Sequence, residues 1–292
     1  MQTSVPKLRL GCPIWACAEW RGNLFEEKTP PKDFLRQYAE VFDCVEGNST
    51  FYALPAADTV DRWRDETPST FRFCFKFPKT ITHERRLVDA QRQTEAFFER
   101  MGRLSERLGP FLIQLPPTFG PERLDALDAF LSDLPRDHTY AVEVRHPSLF
   151  TTDAEALSAI LDAHGVARGL MDTRAVHAAR TLDPTTLRSQ SRKPKVPWCQ
   201  TVNADTPFVR VVGQNDVQST SGYLDQWAKI TAAWLQRGWS PFVFLHAPDD
   251  YYAPRLARAF HYLVRKRQTT LAPHPTWPGE KPAPKSSQLG LL

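Results

Sequence analysis

The sequence holds no CxxC, no HExxH and no other paired spacing of cysteine and histidine, which argues against a structural zinc site. No apolar run approaches the 18 or so residues that a membrane-spanning helix needs. The opening stretch MQTSVPKLRL lacks an apolar signal region, so a cytoplasmic protein with no membrane partner is expected. Neither a glycine-rich dinucleotide fingerprint nor a phosphate-binding P-loop occurs, and no organic cofactor is expected. Charge of one sign is also scarce. A net charge of +4 fits an anionic ligand or nucleic acid but demands neither. The five cysteines (Cys12, Cys17, Cys44, Cys74, Cys199) are an odd count, and three lie in or beside apolar runs, which favours buried free thiols over disulfides.

What is present is a folding composition, 41% hydrophobic and 24% charged, in 292 residues. Apolar strand-like runs alternate with amphipathic stretches. Runs at 7–12, 44–48, 71–77, 111–115, 140–144, 166–171, 208–212 and 242–245 read as strands. Segments 31–41, 57–66, 86–108, 121–134, 153–164, 222–237 and 254–266 read as helices, several closed by glycine. Eight such units predict a single α/β domain, a TIM (β/α)8-type barrel over residues 1–267, with a doubly wound sheet as the competing architecture. The sixth unit is irregular. Residues 173–205 contain Pro184, Pro194, Pro197 and the basic run Arg188, Arg192, Lys193, Lys195, and read as a long loop with one short helix at most. It is either an active-site lid or a solvated connection. Residues 268–292, rich in Pro, Lys and Ser, read as a mobile tail.

In a barrel of this type the carboxyl ends of the strands share one face. The stretch CVEGNSTFY (44–52) shows the pattern, an apolar strand breaking into Glu46, Asn48, Thr50 and Tyr52. Equivalent ends offer Trp15 and Trp20, Lys76 with Thr82 and His83, Gln114, then Glu143, Arg145 and His146, and finally Asp172, Arg210, and His246 with Asp249. Each has a bland alternative. Glu46 can be a structural ion pair with Lys76, Gln114 a strand cap, His83 and His146 ordinary histidines, and Arg145 and Arg210 partners of Glu143 and Asp172. Together they exceed what packing needs. Glu46 and Glu143 suit proton transfer, with Lys76 and His83 as further catalytic candidates. Lys76, Arg145 and Arg210 suit an anion clamp, while Asn48, Gln114 and His146 orient the ligand and Trp15, Trp20 and Tyr52 stack on it. No metal is assigned. Glu, His, Asp and Asn are ligand types, but the nearby Lys and Arg disfavour a cation.

At these motifs the chain resembles the YecE-like family (domain of unknown function 72), from Gly11 to about Lys266. The resemblance rests on the Trp15–Trp20–Gly22 region, FLRQYAEVFDCVEGNSTFYALP, FRFCFKFPKTITH, LGPFLIQLPPTF and YAVEVRHPSLF. It implies a TIM-barrel-like fold and marks Trp15, Glu46, Asn48, Phe51, Tyr52, Lys76, His83, Gln114, Glu143, Arg145 and His146 as hallmark positions. Two parts depart from the family's pattern. Arg210-Val-Val-Gly213 lacks its histidine after strand seven, and Leu245-His246-Ala247-Pro248 replaces its paired asparagines. The leading expectation is an enzyme acting by acid–base chemistry on a small anionic or sugar-like metabolite, a hydrolase, isomerase or lyase. A second is a repair-type nuclease docking on a sliding clamp, because the terminal Gln288, Leu289, Leu291 and Leu292 are similar to a clamp-binding peptide; the bland alternative is that these leucines fold back onto the barrel. A third, favoured by the two departures, is non-catalytic ligand binding.

Overall fold

Strand runs that are apolar without interruption, as in FLIQL and FRFCF, suit strands covered on both faces by helices. The computed structural model of the chain describes residues 6–280. Its strands are β1 (Arg9–Gly11), β2 (Cys44–Gly47), β3 (Arg72–Phe75), β4 (Phe111–Gln114), β5 (Tyr140–Glu143), β6 (Ala167–Asp172), β7 (Phe208–Val212) and β8 (Phe242–His246). The helices are α1 (Phe34–Ala39), α2 (Ala57–Asp65), α3 (Gln91–Met101), α4 (Leu124–Ser132), α5 (Ala154–His164), α6 (Arg174–Ala178), α7 (Pro184–Arg192), α8 (Val217–Gln236) and α9 (Ala253–Arg265).

All strand pairings are parallel. Six strands form one curled sheet in the order β1-β8-β7-β6-β5-β4, and β2 and β3 form a second, two-stranded sheet. The regular closed barrel expected from the eight units is therefore found in a coarser form, a TIM-like α/β fold whose ladder is interrupted at two seams. Between β1 and β2, where Glu46 N donates to Cys12 O at 3.1 Å, the buried Tyr38 phenol bridges in place of a continuous ladder. It accepts from Cys12 N at 2.7 Å and donates to Cys44 O at 3.0 Å. The chains still approach closely, since a Cβ on Gly11 would lie 2.1 Å from Cys44 O. Between β3 and β4, Gly109 N donates to Phe73 O and Phe77 N to Leu112 O, both at 2.9 Å, without a continuous ladder.

Three local expectations need correction. The helix expected over 86–108 begins only at Gln91, because Arg86, Leu87 and Asp89 sit at φ of 52, 71 and 49°, outside the helical region. The helix expected from Gly222 begins at Val217, where the Asp216 carboxylate accepts from Ser219 N at 2.6 Å; its cap outweighs the interior glycine. The segment 173–205 carries two helices instead of one at most. Pro184 marks the first residue of α7, and Asp183 caps it by accepting from Thr186 N at 2.9 Å.

The stretch read as a mobile tail from Gln268 is packed as far as Glu280. Trp277 is buried, the Arg258 guanidinium lies 3.7 Å from its ring centroid, and Arg258 pairs with Glu280 at 2.9 Å. Composition hid the aromatic anchor Trp277. The clamp-like Gln288, Leu289, Leu291 and Leu292 lie outside the described residues. No helix among those described is long and apolar enough to cross a membrane.

Candidate functional site

The inner face of the curled sheet has a small apolar layer formed by Cys44, Cys74, Leu112, Ala141, Ala167, Phe208, Phe242 and Phe244. Side chains alternate along a strand, so the residue two positions on returns to the same face. Two residues beyond Cys44, Cys74, Leu112, Ala141, Phe208 and Phe244 stand Glu46, Lys76, Gln114, Glu143, Arg210 and His246. All six are buried. The polar layer is thus a consequence of strand period and of the apolar layer beneath it.

Arg210 is its hub. Nε and Nη2 donate to the two oxygens of Glu46, each at 2.8 Å, and Nη1 donates to Glu143 Oε2 at 2.6 Å. The other oxygen of Glu143 accepts from Arg145 Nε at 3.0 Å, and Arg145 Nη2 donates to Gln114 Oε1 at 2.6 Å. His246 Nε2 lies 3.0 Å from Glu46 Oε2. An ionised carboxylate only accepts, so this nitrogen carries the proton and donates.

Burial alone would raise both carboxyl pKa values, but the guanidiniums reverse it. Arg210 followed by His246 holds Glu46 well below the usual range, and Arg210 with Arg145 brings Glu143 down to about 2. Burial lowers His246 to about 4 despite the pull of Glu46, so it is neutral.

The expected pairings are redistributed. Glu46 pairs with Arg210 instead of Lys76, and Asp172 pairs with Arg174 at 2.8 Å instead of Arg210. Among the strand-end candidates, only the pairing of Arg145 with Glu143 stands as drawn from the sequence.

Above this layer opens a cavity of about 650 Å3. Asn48, Tyr52, Lys76, His83, Gln114, Arg145 and Arg210 line it, with Phe51, His246 and Asp250. Glu46 and Glu143 lie beneath its floor and do not line it. Trp15, Trp20 and His146 are not in the lining either. Trp15 packs edge-on to Trp63 with centroids 5.1 Å apart, Trp20 is buried and donates to Asp250 O at 3.1 Å, and His146 pairs through Nδ1 with the Ser148 hydroxyl at 2.8 Å. Asn48 donates to Pro13 O at 3.1 Å, which fixes its amide at the rim.

Lys76 is the exception in the polar layer. It is buried yet forms no ion pair among the described residues, and its Nζ lies 3.9 Å from the Phe51 ring centroid. Burial, with Arg210 nearby, lowers its pKa to about 7. His83 is lowered to about 4 by burial and then by Lys76. The Thr82 hydroxyl, which donates to Pro78 O at 3.2 Å, lies 2.9 Å from His83 Nδ1.

The wall that sequence reasoning did not assign is α7. Thr185, Arg188, Ser189, Arg192 and the following Lys193 all line the cavity. None of its three cations makes an ion pair among the described residues, and burial lowers Lys193 to about 8. Asp250 is the one carboxylate in the lining, its pKa raised by burial. The cavity therefore presents an excess of positive charge. Among the described residues no three His, Cys, Asp or Glu side chains are grouped to hold a metal ion, so the nuclease expectation gains no metal centre from them.

Comparisons with known proteins bear on the family and the fold. The profile of the family described as "Protein of unknown function DUF72" matches residues 9–282. The chain is 39% identical over 272 residues to the UPF0759 protein YecE of Escherichia coli K12, spanning 92% of this chain and 97% of that protein. It is 31% identical to the UPF0759 protein YunF of Bacillus subtilis 168 over 103 residues, covering 33% of this chain and 36% of that protein. Among solved structures, a DUF72 family protein from Thermotoga maritima MSB8 superposes with a TM-score of 0.68 at 21% identity, covering 91% of this chain and all of that one. A second, from Enterococcus faecalis V583, gives 0.66 at 20% identity, covering 91% of this chain and 99% of that one.

Proposed function

This chain belongs to the DUF72 family of proteins of unknown function, and from that premise we propose that its cavity binds a small anionic metabolite and acts on it by acid–base chemistry centred on Lys76. The observation that carries this reading is a buried lysine in the cavity lining with no ion-pair partner among the described residues, in a lining that holds five further cations and one carboxylate. A group of that kind releases and takes up a proton near neutral pH, which suits a general acid or base. His83, which burial keeps neutral, is the accompanying base.

Arg145, Arg188, Arg192 and Lys193 clamp the anion, while Asn48 and Gln114 orient it. Glu46 and Glu143, first considered as the proton-transfer pair, take a different role in this reading. Held ionised and saturated by guanidinium donors, they fix Arg210 and Arg145 and stay off the reacting atoms. No organic cofactor is invoked.

The test is a thermal-unfolding screen of phosphorylated and carboxylated metabolites, followed by product analysis of any that stabilise the protein. Anionic compounds should raise the midpoint for the wild type and lose that effect in Lys76→Met. Equal stabilisation of both proteins by the same compounds would sink the assignment. A bound compound recovered unchanged would favour the non-catalytic binding role over turnover.

A further inference from the structure

An anionic group answers only part of the main cavity, because the lining is divided by the kind of hydrogen-bonding group it offers. At the ends of β3, β4 and β5 the unengaged groups donate. They are the Lys76 ammonium, the Gln114 amide nitrogen and Arg145 Nη1, since Gln114 Oε1 and the other two nitrogens of Arg145 already serve each other and Glu143. Arg188, Arg192 and Lys193 add further donors from α7 and the residue after it.

At the ends of β8, β1 and β2, which are neighbours in the barrel, the unengaged groups include two acceptors. Asn48 follows β2, Asp250 lies in the turn beyond β8, and both line the cavity with Pro13 and Ile14, which follow β1. The bond from Asn48 Nδ2 to Pro13 O at 3.1 Å leaves Oδ1 as the open end of that amide. The backbone carbonyl of Asp250 accepts from the Trp20 indole at 3.1 Å, so its carboxylate stands on an anchored turn. Among the described residues neither Asn48 Oδ1 nor the Asp250 carboxylate has a hydrogen bond or an ion pair, and neither is sealed from solvent.

We infer that the ligand is a hydroxylated anion, of the class of sugar phosphates and sugar acids, with its anionic group against Lys76 and Arg145 and its hydroxyls donating to Asp250 and Asn48 Oδ1. A bare anion that fills the cavity strips water from both acceptors without replacing it, and its charge is repelled by Asp250. A hydroxyl donates to a carboxylate or amide oxygen and adds no charge. A ligand ammonium is the poorer fit, because Lys193 is already close enough to pull on the Asp250 carboxyl. The volume of about 650 Å3 suits a small molecule with two such ends. This inference rests on the anion reading of the cavity and adds what the rest of the ligand carries.

Calorimetric titration with two pairs, ribitol 5-phosphate against pentyl phosphate and gluconate against hexanoate, varies the hydroxyls at a fixed anionic group. In at least one pair the hydroxylated member should bind on the order of tenfold more tightly. Asp250→Ala should bring that ratio near one, and Asn48→Ala should lower it about threefold. Lys76→Met should weaken both members and leave the ratio in place. If each alkyl anion binds as well as its hydroxylated counterpart, or if the ratio survives Asp250→Ala, the hydroxylated ligand is wrong while the anion reading stands. Tighter binding of 5-aminopentyl phosphate than of ribitol 5-phosphate would put an ammonium in place of the hydroxyls and overturn the inference equally. If none of these anions binds the wild type, both readings fall.

Discussion

On the floor of the cavity every charge except that of Lys76 has an answering partner. Arg210 serves Glu46 and Glu143, Arg145 serves Glu143 and Gln114, and neutral His246 completes Glu46. Lys76 itself and, on the wall immediately above, Arg188, Arg192 and Lys193 face the same space with no ion-pair partner among the described residues. Both regions are built from long cationic side chains, yet only one is finished by the protein itself. A complete network fixes geometry and resists exchange of its protons. An incomplete one is satisfied by something from outside. The contrast locates ligand chemistry at Lys76 and on the wall and makes the rest of the floor its support.

The largest test of the contrast is Arg210→Met. It strands two buried carboxylates, and breaking a buried pair by removing one partner costs about 3–5 kcal/mol. Urea unfolding should show a loss of that size at neutral pH. A variant as stable as the wild type would mean that the floor is not the closed network described.

Lys76→Met should act in the opposite direction. The unfolded chain holds the lysine proton up to its ordinary 10.5, whereas the folded protein holds it only up to about 7. The folded state therefore bears a cost that is full below pH 7 and fades between 7 and 10.5. Removing the charge should stabilise the protein by about 3 kcal/mol at pH 6, the cost of the buried charge less its lost contact with the Phe51 ring, with the advantage shrinking as pH rises. Urea unfolding of both proteins across this range checks it. A destabilised variant would place Lys76 among the satisfied residues.

The unpaired lysines should also titrate. Sulfate, which stays dianionic across the range, should bind about tenfold more weakly at pH 9 than at pH 6 as Lys76 and Lys193 lose their protons at about 7 and 8. In Lys76→Met the remaining pH dependence should centre nearer 8. Equal affinity for sulfate at both pH values would remove the lysines from the anion site.

The floor was more legible in the sequence than the wall, for a physical reason. Strand period places Glu46, Gln114, Glu143 and Arg210 each two residues beyond a buried apolar residue, and a charge at such a position stands out in a linear reading. Who pairs with whom did not stand out. Arg210 and Glu46 lie 164 residues apart and meet only through the curl of the sheet. The ladder breaks were equally hidden, since nothing local marks Tyr38 as a bridge between β1 and β2. For the wall, three prolines and a basic run resembled a loop. The usable signal was Asp183-Pro184 opening a helix, after which Thr185, Arg188, Ser189 and Arg192 recur at offsets of 3, 4 and 7 and share one face.

That helix is tied at its start by the Asn215 amide and along its length by Gln190, whose Nε2 donates to Val176 O at 2.8 Å and to Ala179 O at 2.9 Å. Asn215 Nδ2 donates to Asp183 Oδ2 at 3.1 Å and to the Thr185 hydroxyl at 2.9 Å, while its Oδ1 accepts from Asp249 N at 2.9 Å. It thereby links the start of α7 to the turns that follow β7 and β8. Asn215→Ala removes these bonds but leaves the Asp183 cap on Thr186 in place. Global stability should fall by about 1 kcal/mol. Amide hydrogen exchange should rise across Pro184–Arg192 while β7 and β8 remain protected, because local opening draws on the weakest contacts first. If exchange rises equally in α7 and in the strands, the wall is no looser than the floor, and the division between a finished support and an unfinished binding surface does not extend to their dynamics.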